Sequence, residues 1–151
     1  MRRILFVCTG NTCRSPMAEA ILKNKDLAGM EVKSAGIYAA NGSEASPHAK
    51  QVLKNNQITH QHSSTLLSDK EVEWAELILT MTSAHKFAIQ QQYPKSIEKV
   101  FTLKEFTGEE FDHDVVDPFG GSLAIYEETY KELDQLINKA IEKIQQWREI
   151  K

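Results

Sequence analysis

The sequence predicts an α/β fold, a doubly wound parallel sheet with helices on both faces, because short apolar runs alternate along the chain with amphipathic runs of helical spacing. The 151 residues contain no linker, repeat or low-complexity segment that would mark a second domain. We therefore expect a single three-layer domain over residues 1–151, with a four-stranded parallel sheet as its middle layer and right-handed crossovers.

The first half of the chain contains two predicted strands separated by a helix. Residues 4–7 are continuously apolar, which is typical of a strand buried on both faces. The helix after them is predicted to have Ser15 as its cap and Pro16 in its first position. Residues 32–35 are expected to form the second strand, and residues 36–46, rich in Gly, Ala, Ser and Asn, a surface loop.

The second half repeats the alternation of helix and strand. Helices are predicted over residues 47–55 and 83–92, and Pro94 stops the second of them. Apolar runs predict strands at residues 77–81 and 100–103.

A long segment without periodicity, residues 104–121, separates the fourth predicted strand from the last helix. A loop of this length in a compact domain favours a functional role. The last helix is expected from Leu123 to Trp147, because its apolar residues keep a spacing of three and four. Ligands of doubly wound sheets bind at the carboxyl ends of the strands, which points to residues 8–15 and to the segment after the fourth strand.

Charge and composition exclude several classes of partner. The 18 basic and 21 acidic residues give a formal charge of -3, so we expect neither nucleic acid nor an anionic membrane as a partner. Residues 4–7 are too short for a signal peptide and no apolar run could span a bilayer, which favours the cytoplasm. The 2 cysteines are too few for a disulfide-stapled domain, and the lack of an obvious apolar patch favours a monomer.

Residues 8–15, Cys-Thr-Gly-Asn-Thr-Cys-Arg-Ser, place a cysteine at the end of a buried strand and an arginine six residues later. Backbone N–H groups of such a loop, together with the first turn of the following helix, form a concave anion site. Gly10 and Asn11 are able to adopt the left-handed conformations that this shape requires. Because Arg14 adds a planar fork that matches two phosphoryl oxygens, the loop is predicted to bind phosphate.

The same positive surroundings would favour the thiolate form of Cys8, which is the nucleophilic form. Ser15 could donate its hydroxyl to that thiolate, and Asn11 could brace the loop through its side chain. The alternative is that Cys8 is a small buried hydrophobe and Arg14 a surface residue. A nucleotide-binding loop is disfavoured because the Gly-Lys-Ser/Thr ending is missing.

Two motifs, LFVCTGNTCRSPMAE at residues 5–19 and VDPFGG at residues 116–121, are highly specific when they occur together. Over essentially its whole length the chain resembles the low-molecular-weight protein tyrosine phosphatase family, and it is most similar to the protein arginine phosphatase branch. The resemblance implies that Cys8 attacks phosphorus and forms a phosphocysteine, while Asp117 protonates the leaving group and then activates water. Without the phosphate loop, Asp117 would be an ordinary Asp-Pro turn residue.

The resemblance also implies how the phosphoryl group is held. Arg14 and the loop amides would stabilise its oxygens, so neither a metal nor a cofactor is expected. Phosphorylated proteins would be the substrates. The implied substrate-binding residues are Thr9, Gly10, Asn11, Thr12, Cys13, Ser15 and Phe119.

The implied substrate depends mainly on Thr12, since most tyrosine-directed members of the family carry an aliphatic residue at this position. The Thr12 hydroxyl and the Asp117 carboxylate would accept hydrogen bonds from the guanidine of a phosphoarginine. Tyrosine-directed members often have paired tyrosines at the position of Phe119-Gly120-Gly121. This chain therefore keeps a single aromatic wall there. Phe119 would flank the substrate stem, or it would simply pack beside a turn. Protein arginine phosphatase is the predicted activity and protein tyrosine phosphatase the alternative.

Cys13 lies across the loop from Cys8 in the family fold. A disulfide between them would protect Cys8 from further oxidation and make it a redox-sensitive cysteine; an inert buried thiol is the alternative. Mass spectrometry after mild peroxide treatment would distinguish the two, because sulfinic or sulfonic Cys8 without a bridge would contradict protection.

Two other functions remain to be weighed. An arsenate reductase would need a relay of further cysteines, which the chain lacks after Cys13. A non-catalytic phosphoprotein-binding module would need neither a nucleophile nor an acid.

The histidines show no helical pairing typical of metal ligands, so we expect them in loops or on the surface without a metal: His48, His60, His62, His85 and His113.

Overall fold

The centre of the molecule is the predicted sheet of four parallel strands, and their order is β2-β1-β3-β4. The structure, a computed structural model, describes residues 2–150, and it describes side chains for residues 2–146. The strands are β1 (Arg2–Cys8), β2 (Met30–Gly36), β3 (Leu77–Thr80) and β4 (Val100–Thr102).

Helices cover both faces of the sheet and complete the three predicted layers. They are α1 (Arg14–Asn24), α2 (Pro47–Asn55), α3 (Asp69–Trp74), α4 (Ser83–Gln92), α5 (Leu103–Phe106) and α6 (Leu123–Ile150). Side chains of α1, α2, α5 and α6 share one apolar cluster, and those of α3 and α4 share another. Among residues 2–150, no helix has the length and apolar character needed to cross a membrane.

Strand β1 explains why the core has two halves. Because successive side chains of a strand point to opposite faces, Ile4 and Phe6 join the cluster of α1 and α6, whereas Leu5 and Val7 join the cluster of α3 and α4. All four side chains are at most 1% exposed. The apolar run therefore forms a strand buried on both faces, and each side chain contributes about 1.5–3 kcal/mol of transfer free energy.

Several predicted helix limits are confirmed. Helices α2 and α4 occupy residues 47–55 and 83–92, as predicted. Helix α6 begins at Leu123, and its apolar face is buried as far as Ile144. The predicted contribution of the Trp147 side chain lies outside the described residues.

Other limits differ from the predictions. Met81 follows β3, and Leu103 begins α5 instead of ending β4. Helix α5 thus occupies the start of the expected loop, where Thr102 and Glu105 form a capping box that stabilises a single turn. The sequence pattern also does not predict α3 or the 3-10 helix Pro94–Lys99, since helices this short contain too few residues for a clear periodicity.

The position of β1 determines where a ligand can bind. The chain passes from β1 to β2 on one side, and β3 lies on the other side of β1. A crevice opens at the carboxyl end of a strand where the connections diverge in this way. Residues 8–15, which join β1 to α1, occupy that crevice.

Candidate active site

A cavity of about 250 Å³ opens over the loop between β1 and α1. We call residues 8–15 the floor of this cavity and residues 116–121 its rim. Of the site residues predicted from the sequence, only Asn11 and Ser15 do not line the cavity, because both are fully buried behind the loop. The lining residues are Cys8, Thr9, Gly10, Thr12, Cys13, Arg14, Asp117 and Phe119.

The Cys8 thiol lies at the end of the central strand with a hydroxyl beside it. Its Sγ is 2.8 Å from Ser15 Oγ, and Ser15 Oγ in turn accepts a hydrogen bond from Asn11 Nδ2 at 2.7 Å. Since the Ser15 oxygen already accepts that bond, its own hydrogen is available to the sulfur of Cys8. A thiolate at this position would therefore receive a hydrogen bond that stabilises the charged form.

Ser15 does not have the capping role that its sequence position predicts. Helix α1 begins one residue earlier, at Arg14, and no side chain caps it. The Ser15 hydroxyl bonds to the Cys8 thiol instead. The earlier start of α1 explains the correction: Cys13 occupies the cap position, so Ser15 is the second helical residue and its hydroxyl faces Cys8 and Asn11.

Asn11 braces the floor from behind. It has a φ of 56°, in the left-handed region that Asn tolerates better than most residues. Its Nδ2 also donates to Ser34 Oγ at 2.9 Å, and its Oδ1 accepts from the backbone N–H of Thr65 at 2.9 Å. The backbone carbonyl of Asn11 accepts a bond from His62 Nε2 at 2.6 Å. The predicted bracing role agrees with these contacts.

The end of β2 supports the floor in a way that the sequence does not reveal. The backbone N–H groups of Ile37 and Tyr38 donate to the carbonyls of Cys8 and Thr9, at 3.0 and 2.9 Å. A side chain at Gly36 would place its Cβ 2.6 Å from the Thr9 carbonyl oxygen, closer than any ordinary contact. Gly36 is therefore required for the close approach of this strand to the floor.

Arg14 is buried and oriented by the rim. Its Nη1 donates to the Val115 carbonyl at 2.9 Å, and its Nη2 lies 3.6 Å from Asp117 Oδ2. Its Nε is buried and has no hydrogen-bond partner. A buried guanidinium N–H without a partner is costly, so an anion in the cavity would supply the acceptor that the protein itself does not.

The rim brings Asp117 over the floor. Asp117 Oδ1 accepts a bond from the backbone N–H of Phe119 at 3.0 Å, and about half of the Asp117 side chain is exposed. Phe119 is 76% exposed and lines the cavity. An exposed ring at a cavity mouth is available to a ligand, and the contact of Phe119 with substrate stays a prediction.

His85 contacts the floor, although the sequence places it among surface or loop histidines. It lies in α4, is 8% exposed, and its Nε2 is hydrogen-bonded to Thr9 Oγ1 at 2.8 Å. Burial, reinforced by the nearby charge of Arg14, lowers the pKa of His85 to about 4. The ring is therefore neutral at pH 7, and it supports the floor without adding charge.

Cys13 lies on the opposite side of the floor from the Cys8–Ser15 pair. Its Sγ is 3.3 Å from the hydroxyl of Tyr126 and 3.5 Å from Ser46 Oγ. Both cysteines are free thiols. The disulfide between Cys8 and Cys13 stays a prediction.

A buried thiol with a hydroxyl donor, a guanidinium and a carboxylate around one anion-sized cavity define the class of cysteine-dependent phosphatases. The comparison with known families agrees with this class. The chain belongs to the family described as low molecular weight phosphotyrosine protein phosphatase, which it matches over residues 3–149. The resemblance seen in the two sequence motifs is thereby confirmed, and the chain is a cysteine-dependent protein phosphatase.

Individual relatives carry two different substrate names. A protein-arginine-phosphatase of Geobacillus stearothermophilus is 53% identical over 95% of this chain and 96% of its own length. The solved YwlE arginine phosphatase of Geobacillus stearothermophilus superimposes with a TM-score of 0.94 at 51% identity, covering 98% of this chain and 96% of that one. The low molecular weight protein-tyrosine-phosphatase PtpB of Staphylococcus haemolyticus is 40% identical over 91% of this chain and 96% of its own length.

Proposed function

We propose that this phosphatase removes the phosphoryl group from phosphoarginine in proteins, with Cys8 as nucleophile, Arg14 as phosphate ligand and Asp117 as acid and base. The observation that carries the proposal is the convergence of these three side chains on one cavity of about 250 Å³. The hydroxyl of Ser15, 2.8 Å from the sulfur of Cys8, supports the thiolate form that the reaction needs.

The first step transfers the phosphoryl group to the enzyme. The Cys8 thiolate attacks phosphorus from the floor, an S–P bond forms, and the P–N bond to the substrate guanidine breaks. Asp117, protonated at the start, donates its proton to the departing nitrogen. Arg14 and the backbone N–H groups of the floor stabilise the charge on the phosphoryl oxygens.

The second step releases phosphate. Water attacks the phosphorus of the phosphocysteine while the Asp117 carboxylate accepts one of its protons, and Cys8 leaves as a thiolate. The Ser15 hydroxyl stabilises this leaving group as it stabilised the nucleophile. Each turnover thus consumes one water and returns Asp117 to its protonated form.

Thr12 supports arginine as the phosphorylated residue. Thr12 and Asp117 both line the cavity that holds Cys8, so two hydrogen-bond acceptors are available there to a substrate. A guanidine has several N–H donors, and each would be left without a partner against an aliphatic side chain. Phe119 offers one exposed aromatic wall for the apolar stem of the substrate arginine. The arginine phosphatase name of the relative at 53% identity supports the same choice.

Phosphotyrosine is the second candidate substrate. The family description and the name of the relative at 40% identity favour it, and the exposed ring of Phe119 would suit an aromatic substrate equally well. The two candidates share the chemistry of Cys8, Arg14 and Asp117. They differ in whether the Thr12 hydroxyl contributes to binding.

The test compares hydrolysis of matched phosphoarginine and phosphotyrosine peptides, with para-nitrophenyl phosphate as a generic phosphatase substrate. We expect a preference for phosphoarginine, no turnover by Cys8→Ser, and a loss of about tenfold or more in phosphoarginine kcat/KM for Thr12→Val. Thr12→Ser is the matched control, because it keeps the hydroxyl that Thr12→Val removes. Thr12→Ile should shift selectivity toward phosphotyrosine.

Each contrary result has a distinct meaning. A preference for phosphotyrosine that Thr12 variants do not alter would contradict the arginine substrate and leave the family chemistry intact. Turnover by Cys8→Ser would contradict the role of Cys8. Stable phosphopeptide complexes without hydrolysis by the unaltered protein would favour a binding module.

We also propose that the protein acts as a monomer in the cytoplasm and that residues 1–151 form one catalytic domain. The near-neutral formal charge of -3 and the match of the family to residues 3–149 support these points. Light scattering at several protein concentrations would test the monomer, and a mass that rises with concentration would contradict it.

A further inference from the structure

Three side chains with metal-ligating atoms converge behind the floor. Glu19 comes from α1, and His60 and His62 come from the segment between α2 and α3. One ligand atom from each residue lies within 4.8 Å of the others. None of the three lines the cavity that holds Cys8, so this cluster is separate from the candidate active site.

The hydrogen bonds around His62 determine which of its nitrogens is free. His62 Nε2 lies 2.6 Å from the Asn11 carbonyl, and a carbonyl oxygen can only accept, so Nε2 carries the hydrogen. In the neutral ring, the lone pair of Nδ1 is then 3.8 Å from Glu19 Oε1. In that form of the ring, two electron-pair donors face each other without a hydrogen between them, and a cation, whether a proton or a metal ion, stabilises this arrangement.

His60 adds a third electron-pair donor. Its Nε2 is buried and has no hydrogen-bond partner, although the ring as a whole is only partly buried. An imidazole nitrogen without a partner is costly to bury unless something else satisfies it. A surface cavity of about 390 Å³ is lined by both His60 and His62, and it provides a route from solvent to the cluster.

We propose that Glu19, His60 and His62 bind a divalent transition-metal ion of the zinc class. Two imidazoles and one carboxylate form a known three-ligand set for zinc, with the fourth position left to water. Imidazole nitrogens favour zinc, nickel or copper over magnesium and calcium. The outer contacts fit as well: the Asn11 carbonyl orients His62, and the Ser34 hydroxyl donates to Glu19 Oε1, as the hydrogen-bond partners of metal ligands commonly do.

Lys23 is the group that opposes this site. Its ammonium forms an ion pair with Glu19 Oε2 from the next turn of α1. The Lys23 side chain is 48% exposed, so the ammonium can move into solvent when a metal ion takes the carboxylate. Removing the Lys23 charge should therefore tighten metal binding.

The cluster is linked to the floor through shared partners. His62 bonds to the Asn11 carbonyl, and Ser34 bonds both to Glu19 and to the Asn11 side chain. A bound ion that repositions the His62 ring would shift the backbone amides of the floor. Metal binding can be measured in a variant that lacks the Cys8 thiol, so the test of this site does not depend on the outcome for the phosphatase chemistry.

The experiment titrates Zn²⁺ by calorimetry and Co²⁺ by visible absorption into the full chain carrying Cys8→Ser, which removes the proposed nucleophilic thiol as a competing ligand. We expect one ion per chain, with no sulfur-to-cobalt charge-transfer band. Glu19→Gln and His60→Gln should each weaken binding by about tenfold or more. Lys23→Gln should tighten it several-fold, and His113→Gln, outside the cluster, should leave it unchanged.

Folding and floor geometry are checked in the same samples. Circular dichroism verifies that Glu19→Gln and His60→Gln fold, and both substitutions keep a polar side chain of similar size. Amide NMR spectra should show Zn²⁺-dependent shifts at Asn11 and Thr12 that disappear in His60→Gln. Equal affinity in all variants, or binding that requires the Cys8 thiol, would overturn the proposal.

Discussion

The floor and the rim of the cavity are built in opposite ways. On the floor, Asn11 and Ser15 are fully buried, and Asn11 bonds to partners from β2, from α1 and from the segment before α3. On the rim, Phe119 is 76% exposed, and the hydrogen bonds of Asp117 and Gly121 are to residues within the rim itself. The difference indicates that the site for the phosphoryl group is fixed by the whole fold, whereas the rest of the substrate meets a local turn.

The largest expected effect is on kcat and concerns Asp117, the rim residue that acts together with Cys8 and Arg14 of the floor. Asp117→Asn should lower kcat on phosphopeptides by about 10²–10⁴-fold, since the amide cannot donate an acidic proton to the leaving group. The amide oxygen can still accept the Phe119 N–H, so the turn should persist. Phosphate affinity, measured by calorimetry, should not fall, because Arg14 keeps its bond to the Val115 carbonyl and loses only a competing carboxylate. A kcat within threefold of the unaltered enzyme would contradict the role of Asp117.

The second prediction tests the buried support of the floor through pH. The pKa of His85 is lowered from 6.5 to about 4, so the folded protein binds the proton less well than the unfolded chain. The free energy of unfolding should therefore fall as pH decreases from about 6.5 to 4, by up to roughly 3 kcal/mol, and this contribution is fully present above pH 6.5. Urea unfolding of the protein and of His85→Asn at several pH values checks this. The difference in the free energy of unfolding between the two proteins should become smaller toward acid pH. Parallel pH profiles would show that His85 does not contribute.

The third prediction concerns the close approach of β2 to the floor. Gly36→Ala should destabilise the protein by about 1–3 kcal/mol and lower kcat/KM by about tenfold, because the new Cβ would displace the Thr9 carbonyl. Gly42→Ala is the matched control: Gly42 has a φ of 86° and open space around it, so it should lose stability without loss of activity. If both variants keep full activity, the floor is more adaptable than its contacts indicate.

The smallest expected effect lies wholly on the rim. Phe119→Ala should raise KM for peptide substrates by a few-fold and leave kcat nearly unchanged, because the ring contacts only the part of the substrate beyond the phosphoryl group. Stability should stay within about 0.5 kcal/mol, as is usual for exposed positions. A loss of stability above 1 kcal/mol would instead indicate a packing role for the ring.

Contiguous features of the fold and site could be predicted from the sequence, and features that depend on distant segments could not. Cys8 and Arg14 stand in one short loop between an apolar run and a helix, so their proximity follows from local structure. His85 and Gly36 reach the floor because β3 and β2 flank β1, which requires knowledge of the strand order. The one available signal for His85 was its position a few residues after a strand, at the same carboxyl edge as the loop.

The boundaries that differ from the predictions have a similar cause. Ser15 has the residue type of a helix cap, but α1 begins at Arg14, which places Ser15 inside the first turn with its hydroxyl on the Cys8 thiol. The capping box of Thr102 and Glu105 begins α5 directly at the end of β4, where the apolar pattern alone continues the strand. Local propensity gives way in both cases to a specific polar contact.

The central position of β1 has a consequence for how activity is lost under stress. Amide hydrogens of a strand paired on both sides exchange more slowly than those of edge strands, since they open only in the larger unfolding events. Strand β1 pairs with β2 and β3, and the thiol of Cys8 stands on its last residue. Fraying of the edge strand β4 or of the helix ends leaves this strand intact. We therefore expect heat or denaturant to abolish phosphate binding by the floor only together with the slowest-exchanging amides of the molecule.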